Sequence, residues 1–240
     1  MKAAVHLLAL AALMATGSTF ASCDKNSDVG TESTVPVLDV KSEGTSFALA
    51  ANLTGILSPS PPTTTSEADM LTYMKEEEKL AKDVYTTLNA RWNVQVFTNI
   101  ANAEATHINA VVALMEHLGL SNTSLSPVGE FQNPEFTNLY NQLVAQGSIS
   151  LTEAYKVGAL IEDKDIFDVS TDMQNTSNAS ILLVFDNLKR ASGNHLRAFT
   201  KQLTALGTTY TPQFIDQATY AQIIGTPMEQ GKQYKKRNGR

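Results

Sequence analysis

The chain has 240 residues, with 18 lysines and arginines against 24 aspartates and glutamates, 42% apolar residues and a single cysteine. Its length suits one domain with appendages, and a net charge of −6 leaves little from which to build the basic face that nucleic acid requires. One cysteine excludes a disulfide framework, a cysteine-rich zinc site and a thiolate-held iron–sulfur cluster.

Residues 1–22 open with Lys2, run apolar from Ala3 to Met14 and close on Ala21 and Ser22, the pattern of a secretory signal peptide. The run is shorter than the roughly 20 residues that cross a bilayer. Phe20-Ala21-Ser22-Cys23 resembles a bacterial lipobox, with Phe20 where leucine is usual. That resemblance implies lipid attachment at Cys23 and a protein anchored in the bacterial cell envelope; the alternative is plain secretion with cleavage near Ala21. Residues 23–66, rich in Ser, Thr, Asn, Gly and Pro, read as a flexible tether.

Helical periodicity then takes over. The first segment, about Glu67 to Ala90, has the stripe Leu71, Met74, Glu78, Ala81, Tyr85, Leu88, and the second, about Val94 to Leu118, has Phe97, Ile100, Glu104, His107, Val111, Leu114. A short amphipathic helix, Asn133 to Gln146, follows as a connector. The third long segment starts at Ser150, three residues before Glu153 as in a capping box, and its stripe includes Gly158, Glu162, Asp165 and Val169. The fourth, about Ser177 to Leu206, aligns Ile181, Phe185, Leu188, Ser192, His195, Phe199 and Leu203, and Gly207 stops it. Tyr210 to Ile224 is apolar enough to pack as a short helix, so the domain is placed at residues 67–225 and a basic, disordered tail at residues 226–240.

Four long amphipathic helices without a strand pattern predict an all-α, antiparallel four-helix bundle, with the short helix in the long connection between helices two and three. Residues three apart lie on one helical face, so Glu104 with His107, and Glu162 with Asp165, can each converge. The stripes bring Glu78, Glu104, His107, Glu162, Asp165 and His195 into one core. Burying such carboxylates together is costly unless cations accompany them. Lys75, Lys79, Lys82, Lys164, Lys189 and Arg190 fall off or at the margin of the stripes, so a metal pair is expected, with iron or manganese suiting oxygen and imidazole donors. Glu78 is preferred over Glu77, which shares a row with Met70, Met74, Ala81 and Val84; His117 is read as structural. Tyr85 and Tyr155, each seven residues from Glu78 or Glu162, either donate to ligand carboxylates or pack in the core.

Glu78-x-x-Ala81-x-x-x-Tyr85, Ala101-x-x-Glu104-x-x-His107 and Glu162-x-x-Asp165 resemble the ligand motifs of ferritins and rubrerythrins over about Ser66 to Leu206. The runs MKEEEKLAKDVY, GALIEDKDI and ASGNHLRAF more closely resemble the bacterial ferritin-like family known as domain of unknown function 2202. The resemblance implies a ferritin-like bundle with a di-metal carboxylate site and, in many relatives, a homodimer. It departs at the fourth helix, where Ser192-x-x-His195 stands in place of Glu-x-x-His; Asp165 replaces the lost ligand, or one metal alone binds tightly.

The expected function is therefore an envelope-anchored protein with two iron ions, manganese or zinc being the other candidates, that oxidises ferrous iron or reduces dioxygen or peroxide. A peroxidase needs an external electron donor, since the four cysteines of a rubredoxin-type centre are lacking. The alternative is a non-catalytic metal-binding or interaction module of the envelope. No Gly-rich phosphate loop and no nucleophile turn around Ser192 support other chemistry.

Overall fold

A computed structural model describes residues 38–40, 46–48, 62–121 and 127–229. The expected signal peptide, Cys23, most of the tether and residues 230–240 lie outside the described residues. Six helices follow in order among the described residues: α1 (Thr65–Trp92), α2 (Gln95–His117), α3 (Pro134–Gly147), α4 (Leu151–Gln174), α5 (Ala179–Ala205) and α6 (Gln217–Gly225).

Each helix start has a local cause. Thr64 and Glu67 form a reciprocal capping box, so α1 begins two residues before the apolar stripe suggests. Asn133 caps α3 ahead of Pro134, and Asn178 caps α5. Ser150 accepts from the Glu153 N–H at 3.1 Å, but the reciprocal half of the expected box is absent, because the Glu153 carboxylate turns to Lys156 at 2.8 Å. Asn93, at φ 50°, ends α1 in the left-handed conformation and allows the chain to reverse directly into α2.

The four long helices lie side by side, α1 between α2 and α4, and α5 between the same two. Contacts along α1 and α4 run in opposite order: Glu67 meets Thr176, Glu77 meets Lys164, and Tyr85 meets Glu162. α2 and α5 do likewise, with Phe97 on Phe199 and Glu104 on His195. Hence α2 and α4 point the same way, and the connection carrying α3 has to travel the length of the helices. Gly158 permits the close approach of α4 to α5, since a Cβ there would stand 2.5 Å from the Phe199 ring.

The crossover is anchored by α1. Glu76 accepts from the Gln132 and Asn133 N–H groups at 2.7 and 2.9 Å, while Asp83 accepts from the Gly129 N–H at 3.1 Å and pairs with Lys79. Lys79 also donates to the Pro127 carbonyl at 3.0 Å and lies 4.3 Å from the centre of the Phe131 ring. Lys75 and Lys79, placed by the sequence off or at the margin of the stripes, are buried, Lys79 because the crossover covers its flank of the helix.

The C-terminal segment packs as the sequence suggests, with Tyr210 and Tyr220 buried and Phe214, Ile215 and Ile223 half-buried. Buried Asp163 gathers the Tyr210 hydroxyl and the N–H groups of Gln213, Phe214 and Ile215 at 2.6 to 3.2 Å. Beyond α6, in the stretch read as the start of a basic tail, Asn194 exchanges two hydrogen bonds with the Glu229 backbone and Arg197 donates to the Thr226 hydroxyl at 2.9 Å.

Within the stretch read as a tether, β1 (Leu38–Val40) and β2 (Ser46–Ala48) pair antiparallel, Asp39 opposite Phe47. β2 runs beside α2 and β1 beside α5. Three residues are too few for alternation to announce a strand.

The buried side chains fall into two clusters along the helices. One contains Leu80, Tyr85, Phe97, Tyr155, Phe199 and Leu203; the other contains Leu71, Met74, Leu114, Ile181, Phe185 and Leu188. On α1, α2 and α5 the buried residues between the two clusters include carboxylates or a histidine, and on α4 Glu162 and Asp165 lie beside Ile161 and Ile166.

Candidate metal centre

Four helices supply this polar layer. Glu78 comes from α1, Glu104 and His107 from α2, Glu162 and Asp165 from α4, and Ser192 and His195 from α5; all are 6% exposed or less. Stripe positions place them there, because each continues an apolar row that the core already holds inward.

Two groups form around one shared residue. Glu78, Glu104 and His107 make the first, and Glu104, Glu162 and His195 the second, each with one donor atom per residue inside 4.8 Å of the others. His107 Nδ1 lies 2.6 Å from Glu104 Oε2 and 3.1 Å from Glu78 Oε2. His195 Nδ1 lies 2.9 Å from Glu104 Oε1 and 3.4 Å from Glu162 Oε2. Glu104 thus turns one oxygen to each group. The two imidazole rings stack at 5.4 Å, inclined by 18°.

Charge explains the arrangement. Burial would raise the Glu104 carboxyl, but His107 and His195 outweigh it and hold the group well below the usual carboxylate range. Burial would lower both histidines, yet Glu104 outweighs it in each case, helped by Glu78 at His107 and by Glu162 at His195, which rises to about 10. Burial pushes Glu78 up to about 8 and raises Glu162 and Asp165 as well. The layer thus holds more carboxylate than its two imidazoles neutralise.

The donor set fits a metal. Donor atoms about 3 Å apart are what bonds of about 2.1 Å impose on neighbouring ligands. Among the described residues Glu78 Oε1 and Asp165 Oδ1 are buried without a hydrogen-bond partner, an arrangement costly for an acceptor unless a cation completes it. Mixed oxygen and imidazole donors suit iron, manganese or zinc.

The expected ligands therefore converge, with one difference. Asp165 lines the same small cavity as Glu78, Glu104 and Glu162 but belongs to neither group, and its Oδ2 accepts from the Ser192 hydroxyl. Tyr85 donates to Glu162 Oε1 at 2.6 Å, whereas Tyr155 stacks on Phe97 at 5.6 Å, with no hydrogen bond to a carboxylate of the layer. His117, the last residue of α2, stands outside both groups.

Glu77, which the sequence ranked behind Glu78, also belongs to this layer. It is 4% exposed, lines the cavity and accepts from Lys164 Nζ at 2.8 Å. Its place on the row of Met74 and Ala81 was the available signal.

Residues 67–227 match the family described as an uncharacterized protein domain, DUF2202. The chain belongs to DUF2202. Uncharacterized protein MJ0754 of Methanocaldococcus jannaschii is 43% identical over 174 residues, covering 72% of this chain and 94% of the relative. The crystal structure of hypothetical protein MJ0754 matches with a TM-score of 0.70 at 43% identity, over 72% of this chain and 99% of that one. This relative comes from an archaeon.

Proposed function

We propose that the four long helices form a ferritin-like bundle holding two metal ions, iron first among them, and that the protein oxidises ferrous iron or reduces dioxygen or peroxide while anchored to the cell envelope through Cys23. The observation that carries this reading is Glu104, whose two oxygens face different histidines. Glu78 and His107 would hold one ion, Glu162 and His195 the other, and Glu104 would serve both. Iron, when bound, supplies the electrons for reducing dioxygen or peroxide. Tyr85 orients Glu162, Ser192 holds Asp165 at the cavity wall, and the apolar clusters on either side keep bulk water out.

Anaerobic loading with ferrous iron followed by metal analysis tests the centre, and optical spectra after adding dioxygen or peroxide test the chemistry. Two ions per chain and an oxidant-dependent absorption band are expected; no bound iron would end this reading. Full burial of the donors favours the second reading, a non-catalytic metal-holding module, which a loaded but oxidant-inert centre would select. Cys23→Ser should move the protein from the membrane to the soluble fraction, and a wild type already soluble would refute the anchor.

A further inference from the structure

Five carboxylates line the cavity at the polar layer: Glu77, Glu78, Glu104, Glu162 and Asp165, with Ala81 and Ile161 as apolar walls. Three of them belong to the two donor groups, which leaves Glu77 and Asp165. Each of these two has a buried oxygen with no hydrogen-bond partner among the described residues, Glu77 Oε2 and Asp165 Oδ1. The other oxygen of Glu77 accepts from Lys164 Nζ, which also pairs with Asp168 and donates to the Tyr73 hydroxyl at 3.2 Å. The Lys164 and Asp168 side chains are 23% and 21% exposed, whereas that of Glu77 is 5% exposed. Carboxylates therefore run from water to the cavity in the order Asp168, Glu77, then the donor groups, and one ammonium sits between the first two.

We infer that Glu77, with Asp165, is an intake site for a divalent cation bound for the buried centre, and that the Lys164 ammonium is the displaceable counter-ion that holds the site between passages. The inference rests on the proposed metal centre and adds its route. A purely structural ion pair would use both oxygens of Glu77 or leave the spare one in water, and this pair does neither. Lys164 is tethered to α4 one residue from Asp165, so an arriving cation can push it toward Asp168 without unfolding a helix. The oxygens it releases suit a hard or borderline divalent ion.

The test follows uptake of Co2+ by the full chain under anaerobic conditions, using stopped-flow absorption for the rate and equilibrium titration for the stoichiometry. Glu77→Gln should slow association about tenfold, the scale on which a charged cleft concentrates its ligand, with unchanged final stoichiometry. Lys164→Gln should speed it. The double variant Glu77→Gln/Lys164→Gln removes the Glu77–Lys164 ion pair as a unit and should be as slow as Glu77→Gln; it decides the matter if a single variant fails to fold. Unchanged rates in Glu77→Gln and in the double variant would overturn the inference. So would a final stoichiometry that falls together with the rate, since Glu77 would then be a ligand of the resident centre. A wild type that takes up no Co2+ would remove the proposed centre and this route with it, whereas wild-type uptake with unaltered variant rates would remove the route alone.

Discussion

Tyr85 on α1 donates its hydroxyl to Glu162 Oε1 on α4 at 2.6 Å, a bond between two helices made inside the core. It leaves Oε2 as the Glu162 oxygen that faces His195. Tyr85→Phe should keep the ring on Phe97 and Phe199 while freeing the carboxylate to rotate. Metal affinity should fall about 10-fold with little change in melting temperature, measured by calorimetric titration with Co2+.

Metal binding should tighten as pH rises. Glu78, raised by burial to about 8, and His195, raised to about 10 by Glu104 and Glu162 against the effect of burial, both carry protons at neutral pH that a metal must displace. Titrations in buffers of different ionisation enthalpy should show proton release. For protein stripped of metal the sign is opposite. Both groups bind protons more tightly folded than unfolded, so their contribution is complete below the ordinary values of 4.5 and 6.5 and is lost as pH climbs through about 8 and about 10. Glu104, held low by the histidines, acts only on the acid side, where its contribution is lost as pH falls. The melting temperature of the stripped protein should therefore decline from neutral to alkaline pH.

Gly158→Ala should destabilise the fold. The added methyl meets the Phe199 ring, an overpacking that costs about 1–3 kcal/mol, against about 1 kcal/mol gained in helix propensity. Urea denaturation measures the difference, and Phe199→Leu in the same chain should recover part of it.

Asp163→Asn should loosen the C-terminal segment. An amide nitrogen replaces an acceptor oxygen among donors from Tyr210, Gln213, Phe214 and Ile215, at a cost of about 1–3 kcal/mol. Limited proteolysis should then cut between α5 and α6 faster than in the wild type.

The helices and most of the donor layer were legible because three-and-four spacing places Glu78, Glu104, His107, Glu162 and His195 in apolar rows, and a charged residue in such a row stands out. Asp163 and Glu76 were not legible. Their partners are backbone N–H groups of segments 50 or more residues away, which no local period encodes. Lys164 was placed off or at the margin of the stripes, and its pairing could not be read there, because it forms only where the neighbouring helix brings Glu77 to it. The missing carboxylate at Ser192 was visible, but the Ser192 bond to Asp165 depends on how α4 and α5 approach each other, which Gly158 governs.

Glu76, Glu77 and Glu78 occupy consecutive positions, about 100° apart around α1, and each faces a different neighbour: the crossover backbone, Lys164 of α4 and His107 of α2. One turn of helix thus works as a keyed spindle. Rotating α1 enough to improve any one fit spoils the other two, so the seating of the crossover and the geometry at His107 change together. A substitution in the loop that Glu76 grips, far from every donor atom, would be felt at the centre as a small twist of α1.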